Sequence, residues 1–457
     1  MHIKKIKTSL SGLQIYKIFK DEPYSFFLDS GMDHEKLGQY SFIGFDPFLV
    51  LQSKGRHITM QHGGCVDALK GDPFDALRDV LSDHVMDYKS ELPFIGGAVG
   101  CFGYDMGRHL DNRSRQPQDD LKIADCHWGF YDGIIAIDHG SGQVSIAALG
   151  IKAKEDRVIA GIEERIAAEE GKAKGEHRTP AGSFSALKTD MTREAYGAAI
   201  AKIKEYILAG DVYQVNFAQR FQCETDEDPF NIYARLREIN PAPFGGMMDF
   251  GQGHILCSSP ERFLRIRGRT LETRPIKGTC PRGNTLEEDR QNRETLLASE
   301  KNRAELLMIV DLERNDLGKV SKPGTVRVTE LFQPEPYPTV HHLAATVLGE
   351  RCDGYDVVDC LKAIFPGGSI TGAPKIRAME IIDELEPTSR NLYTGSMGYI
   401  GFNGDADLNI IIRTILCTGK KAYFHTGGGI VWDSEAGLEY EETMHKAKAL
   451  MAVLKNR

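Results

Sequence analysis

Long hydrophobic runs are missing from this sequence: no window approaches the ~18 apolar residues of a membrane-spanning helix, which excludes a helical membrane protein. The opening stretch, MHIKKIKTSLSGLQIYKIFK, is basic but has no continuous apolar core, so it does not read as a secretory signal. Cysteine is sparse: the nine residues at 65, 101, 126, 223, 257, 280, 352, 360 and 417 include no Cys-x-x-Cys pair. A disulfide framework or zinc ribbon is therefore not expected, and the setting implied is a soluble protein of the reducing cytoplasm. Positive charge is also short. Lys and Arg number 56 against 65 Asp and Glu, a net charge of −9, which argues against a general nucleic-acid binder. What is present is ordinary globular usage, 41% hydrophobic and 26% charged. At 457 residues the chain suits roughly three domains or one large two-part fold.

The first ~150 residues read as short strands broken by Gly, Asp and Pro, with examples at 24–28, 40–43, 133–137 and 143–148. A charged helix is expected over 154–170, followed by GKAKGEHRTPAGSFS (171–185), the best linker. A boundary near 180 separates an N-terminal region (1–180) from a second region (187–457). The second region opens with helical spacing of Tyr196, Ile200, Ile203 and Ile207, ended by Gly210. A period-two strand is expected over 212–220, with Tyr213, Val215 and Phe217 on one face. Further strands are expected at 254–258, 263–266, 396–402, 408–416 and 421–425, and helices over 286–312 and 439–454. Strands that follow one another without helices between them favour an antiparallel α+β fold over a Rossmann sheet.

Several segments carry candidate chemistry. GGSITGAPK (367–375) lacks the Gly-Lys-Ser/Thr ending of a phosphate loop, but its amides with Ser369 and Thr371 suit a carboxylate. GGGIV (427–431) is open between a turn and an anion site. Glu439, Glu442 and Lys446 share one helical face, which is either a solvated charge run or, with Glu305 from another helix, a set of hard oxygen donors. Glu261 in SSPERF and Lys277 in TRPIKGT are unremarked surface residues on spacing alone. A lysine acts as a nucleophile only when desolvation or neighbouring positive charge lowers its pKa.

Taken together, SPERF, TRPIKGT, NRAELLMIVDLERNDLG, PEPYPTVHHL, FPGGSITGAPK, YTGSMGYIG, LNIIIRTI, GGGIVWDS and EYEETMHKA resemble the chorismate-utilising enzyme family. The motifs run in family order from Tyr213 to Lys448, and YSFIGFDP (40–47) extends the likeness into the N-terminal region. The resemblance implies an α+β fold in which large antiparallel sheets pack as a β-sandwich core with helices outside, like anthranilate synthase component I. Lys277 stands where the anthranilate-forming members have a small residue, and a lysine there marks the members on the para-aminobenzoate and folate branch. Gln214 stands where the isochorismate- and salicylate-forming members place a water-activating lysine. Leu306 replaces a common His, with little effect expected.

The implied reaction converts chorismate and ammonia into 4-amino-4-deoxychorismate, with Lys277 attacking C2 and Glu261 as general acid for the C4 hydroxyl. Glu305 and Glu442, with Glu439 directly or through water, would hold Mg²⁺ against the ring carboxylate. Arg413 and Tyr393 would hold the enolpyruvyl carboxylate. Gly278, Thr279, Ser369, Thr371, Gly427 and Lys446 would add donors, and His342 would lie against the ring. The chain shows no convincing amidotransferase nucleophile, so ammonia is expected from a separate glutamine amidotransferase subunit, and a separate lyase would remove pyruvate. In the N-terminal region and near 240, Leu28, Ser30, Tyr40, Ser41, Pro241 and Phe244 match a tryptophan pocket of relatives, or an ordinary core. Two other functions are set against this one: an anthranilate- or isochorismate-type synthase, and a non-catalytic sensor of chorismate or tryptophan. Lys277 and Gln214 argue against the first. Retention of an acid, a nucleophile and two metal carboxylates argues against the second.

Overall fold

The computed structural model describes residues 1–32, 35–111, 113–171, 182–337 and 340–456. Two twelve-stranded sheets dominate, and every ladder between their strands is antiparallel. Local chemistry sets the hairpins. Gly133–Asp138 turns back into Gln143–Ala148 because Asp138 accepts from the Gly140 and Ser141 amides, pairing Ile137 with Val144.

Neither sheet belongs to one end of the chain. In the first, Phe26–Asp29 pairs with Phe244–Asp249; in the second, Gly97–Phe102 pairs with Ser396–Gly401. The regions expected on either side of residue 180 thus contribute strands to both sheets, and most of the expected linker (172–181) lies outside the described residues. The sheets face one another across an aromatic core. Phe26 meets Tyr131 edge-on at 4.7 Å, Phe42 meets Tyr399 at 5.6 Å, and the Asn409 amide donates across the gap to the Phe244 carbonyl at 2.8 Å. Helices pack on the outer faces, for example Glu155–Glu170, which buries Ile159, Ile162 and Ile166. Among the described residues, no helix is long and apolar enough to cross a membrane.

Three expected elements differ, each for a physical reason. The single helix over 286–312 is two, Leu286–Ala298 and Glu300–Gly318, because Ser299 is extended and its hydroxyl caps the second by accepting from the Asn302 amide. The strand over 408–416 is also two: Ala406–Ile410 lies in the second sheet and Thr414–Thr418 in the first. The chain changes sheets between them, with Arg413 in the left-handed region at φ 51°. The strand expected over 212–220 runs Gln214–Glu224, leaving Tyr213 72% exposed while Gln214, Val215 and Phe217 are all buried. This strand is covered on both faces at that end, so alternation is lost.

Candidate active site

A cavity of about 890 Å³ opens where the Ile276–Pro281 and Lys421–Ile430 strands meet the Glu300–Gly318 helix, the C-terminal Ala436–Val453 helix and the 411–413 crossover. It gathers both expected catalytic residues, all three expected metal carboxylates, and Gly278, Thr279, His342, Ser369, Tyr393, Arg413, Gly427 and Lys446. Thr371 is the exception. It is fully buried off the cavity, its hydroxyl turned back to the Gly367 and Gly368 carbonyls at 3.0 and 3.3 Å.

Lys277 is aimed by a bulge. Its strand pairs Lys277 with Leu343 and Thr279 with His342, so Gly278 is the extra residue, at φ 75°, a conformation that favours glycine. The lysine lines the cavity half-buried, and desolvation pushes its pKa down; Glu305 opposes this and Lys446 adds to it. Glu261, 5% exposed, lines the same cavity from the turn after the His254–Ser259 strand. Its backbone is fixed by Ser259 and by the Ile410 amide at 3.0 Å. Burial raises its carboxyl to about 7, against the hydrogen bond from Ser369 and the charge of Lys277. One cavity thus holds an amine pushed towards neutrality and a carboxyl raised to about 7, the pairing needed for nucleophile and general acid.

The carboxylates overhang the glycine strand. A Cβ built at Gly428 would sit 3.5 Å from Glu439 Oε2 and 3.7 Å from both Glu442 Oε1 and Lys446 Nζ. Glu439 is buried, accepts from the Ser434 hydroxyl at 2.6 Å, and is raised by desolvation. Glu442 pairs with Lys446 at 2.6 Å, and that cation lowers its pKa. Glu305 is raised by burial against the charges of Lys277 and Lys301. Among the described residues no three His, Cys, Asp or Glu side chains form a ready metal cage. Three carboxylates along one wall nonetheless fit a hard cation that keeps several waters and takes its remaining oxygens from a ligand.

On the other wall, Arg413 has no ion-pair partner among the described residues, and burial lowers its pKa. Tyr393, whose hydroxyl burial pushes up to about 12, stacks on His425 at 4.9 Å between ring centres. His342 is lowered to about 4 by burial and the charge of Arg413, so it is neutral, with Nδ1 3.1 Å from the Thr279 hydroxyl. His425 and Asn302 also line the cavity and were missed in the sequence. Signals existed: strand alternation puts His425 on the face of Gly427 and Gly429, and Asn302 precedes Glu305 by one helical turn.

A second cavity, of about 110 Å³, lies between the sheets and is lined by Leu28, Ser30, Tyr40 and Phe244 of the expected tryptophan set. Ser41 is buried behind it, accepting from the Ser30 amide at 3.0 Å, and Pro241 stands outside the lining, beside Gly31.

A family model described as chorismate binding enzyme matches residues 23–452. Aminodeoxychorismate synthase component 1 of Bacillus subtilis (strain 168) is 41% identical over 423 residues, 91% of this chain and 89% of that protein. Anthranilate synthase component 1 of Acetivibrio thermocellus is 39% identical over 455 residues, 97% and 92% of the two chains. The crystal structure of anthranilate synthase component I from Streptococcus pneumoniae TIGR4 superposes with a TM-score of 0.82 at 31% identity, covering 93% of this chain and 94% of that one.

Proposed function

The chain belongs to the chorismate-binding enzyme family, and from that premise we propose that it converts chorismate and ammonia into 4-amino-4-deoxychorismate. The observation that carries this reading is Lys277: a cavity amine desolvated towards neutrality, sharing its cavity with Glu261, whose carboxyl burial raises to about 7. Relatives named for anthranilate synthesis match almost as closely as those named for aminodeoxychorismate synthesis, so product chemistry decides between them.

In the first step the Lys277 amine adds to C2 of the ring. The two ring double bonds shift, the C4–O bond breaks, and Glu261 gives its proton so that water leaves. In the second step ammonia adds to C4, the double bonds return, and the C2–N bond breaks to release Lys277 as a neutral amine. The new ammonium group, through solvent, restores the proton to Glu261. Two displacements at C2 and C4 place the amine where the hydroxyl was. Arg413 presents its fork to the enolpyruvyl carboxylate beside the Tyr393 hydroxyl, and Ser369 orients the Glu261 carboxyl. Glu305 and Glu442, with Glu439, would hold Mg²⁺, which when bound supplies neutralisation of the ring carboxylate.

Ammonia comes, in this reading, from a separate glutamine amidotransferase, which the component naming of the relatives supports, and the cytoplasm is the setting. The deciding experiment incubates the protein with chorismate, Mg²⁺ and ammonium and identifies the product with and without an added pyruvate-releasing lyase. 4-Amino-4-deoxychorismate supports the proposal; anthranilate as the product overturns it. The smaller cavity is proposed for tryptophan. Millimolar tryptophan should give heat on titration and raise the melting temperature; neither response would withdraw the assignment.

A further inference from the structure

Behind the general acid sits a second buried carboxyl that the reaction above does not use. Glu313, on the Glu300–Gly318 helix, is 3% exposed and lies outside the substrate cavity. Its Oε1 accepts from the Gly368 amide at 3.2 Å, and its Oε2 is buried without a hydrogen-bond partner among the described residues. Gly368 begins the short turn Gly368–Ile370, whose middle residue, Ser369, lines the cavity with Glu261 and lowers the pKa of its carboxyl. The contact is close-fitting: a Cβ at Gly368 would come within 2.8 Å of Leu312 and 3.2 Å of Glu313 Oε1. One turn further along the helix, Asp316 pairs with Lys375, whose amine also holds the Ile364 and Pro366 carbonyls at 2.7 and 2.8 Å. The far side of the turn is tied by Asn216, donating to the Ser369 carbonyl at 2.9 Å.

We propose that Glu313 is a positioning residue for the general acid: it seats the Gly368–Ile370 turn on the helix and thereby holds Ser369 against Glu261. The proposal rests on the reading of Glu261 as the acid. Burial, with Asp316 beside it, pushes the Glu313 carboxyl up to about 8, against the charge of Lys375 and the Gly368 amide; Glu261 raises it further. Glu261 itself is faced by Lys277 and Ser369. Glu313 is therefore neutral while the acid works. Ser369 lowers the pKa of the Glu261 carboxyl, so losing the seat of its turn should move the alkaline limb of activity to higher pH.

The test measures kcat and KM for chorismate at fixed free ammonia across pH, in Glu313→Ala, Glu313→Gln, Glu261→Gln and the Glu261→Gln/Glu313→Ala pair, with melting curves for each. Glu313→Ala should lower kcat by about 10- to 100-fold, the scale of a lost supporting contact, with KM little changed. Glu313→Gln keeps an oxygen for the Gly368 amide; it should restore most of kcat and leave the alkaline limb where the wild type has it. In the Glu261→Gln background Glu313→Ala should cost nothing further. Should Glu313→Ala fail to fold, Glu313→Leu, which fills the space without an acceptor for the Gly368 amide, takes its place. A folded Glu313→Ala with wild-type kcat and an unmoved limb, or a Glu313→Gln as impaired as the alanine variant, would overturn the proposal. If Glu261→Gln kept the wild-type rate, the general-acid reading would fall and this proposal with it. An impaired Glu261→Gln beside an unaffected Glu313→Ala would sink only the role of Glu313.

Discussion

At the small cavity Arg262 is gripped by Asp407 and Glu272 at 2.9 and 2.7 Å, and Arg265 pairs with the same Glu272. At the large cavity Lys277 and Arg413 have no carboxylate within 4 Å among the described residues, although both have given up much of their water. A paired buried charge holds two elements together, here the Arg262–Arg267 strand with its neighbours on either side. An unpaired one is a standing cost to the fold, and it is kept where a ligand supplies the missing charge or where a neutral amine is wanted. The two cavities divide along that line: at the smaller the arginines are already matched, and at the larger Lys277 and Arg413 are left for a ligand or a reaction.

The hardest test of this contrast is Lys277→Ala. Removing a nucleophile should cost about 10⁴-fold or more in 4-amino-4-deoxychorismate formation, while relief of desolvation leaves the melting temperature unchanged or higher. Ammonia should then reach C2 directly, leaking product towards 2-amino-2-deoxyisochorismate, and mass spectrometry of the wild type with chorismate but no ammonia should find the adduct on Lys277. A wild-type rate and product in Lys277→Ala would erase the distinction between the cavities. Next, Glu442→Gln keeps shape and removes charge; turnover should fall by about 10²–10³-fold, the scale of one preorganised electrostatic contact, and excess chelator should do the same to the wild type. Full activity in chelator would remove the metal from the proposal.

Arg262→Ala should behave in the opposite sense. Breaking a buried pair typically costs about 3–5 kcal/mol, so the midpoint of denaturant unfolding should drop while kcat per folded molecule holds. Loss of kcat without loss of stability would show that Arg262 belongs to the chemistry. The smallest effect concerns Glu261 and pH. The native state keeps this proton up to about 7, whereas an ordinary glutamate releases it near 4.5. Unfolding therefore releases a proton in that window, and stability falls as pH rises from 4.5 to 7, by up to about 3 kcal/mol. Glu261→Gln should gain stability relative to wild type at pH 8 and lose that advantage at pH 4, even though it is catalytically impaired. Equal pH dependence in the two proteins would mean that the carboxyl is not held protonated by the fold.

That these distant residues belong together was legible because ordered motifs tie them to one family: Lys277, Glu261, Glu305, Glu442 and Arg413 line one cavity. The fold class was legible from strands without helices between them. The misses have a common physical origin in events that periodicity does not record. A serine cap splits one helix at Ser299, a left-handed Arg413 carries the chain from one sheet to the other, and a buried strand end hides Gln214 while exposing Tyr213. The motif groups Thr371 with the substrate donors, but the turn that presents Ser369 directs the next hydroxyl, two residues on, inwards.

The shared sheets also constrain how the protein is made. Residues 26–29 cannot complete their ladder until 244–249 have been synthesised, and 97–102 wait for 396–401. An emerging chain must therefore carry open strand edges of both sheets for most of its translation, with little native order to be gained from early contacts alone. A ribosome stalled near residue 240 would hold a product with all the early strands and neither sheet closed, a ready client for chaperones. Separate expression of 1–180 and 187–457 should give two insoluble fragments that recover solubility only when produced together.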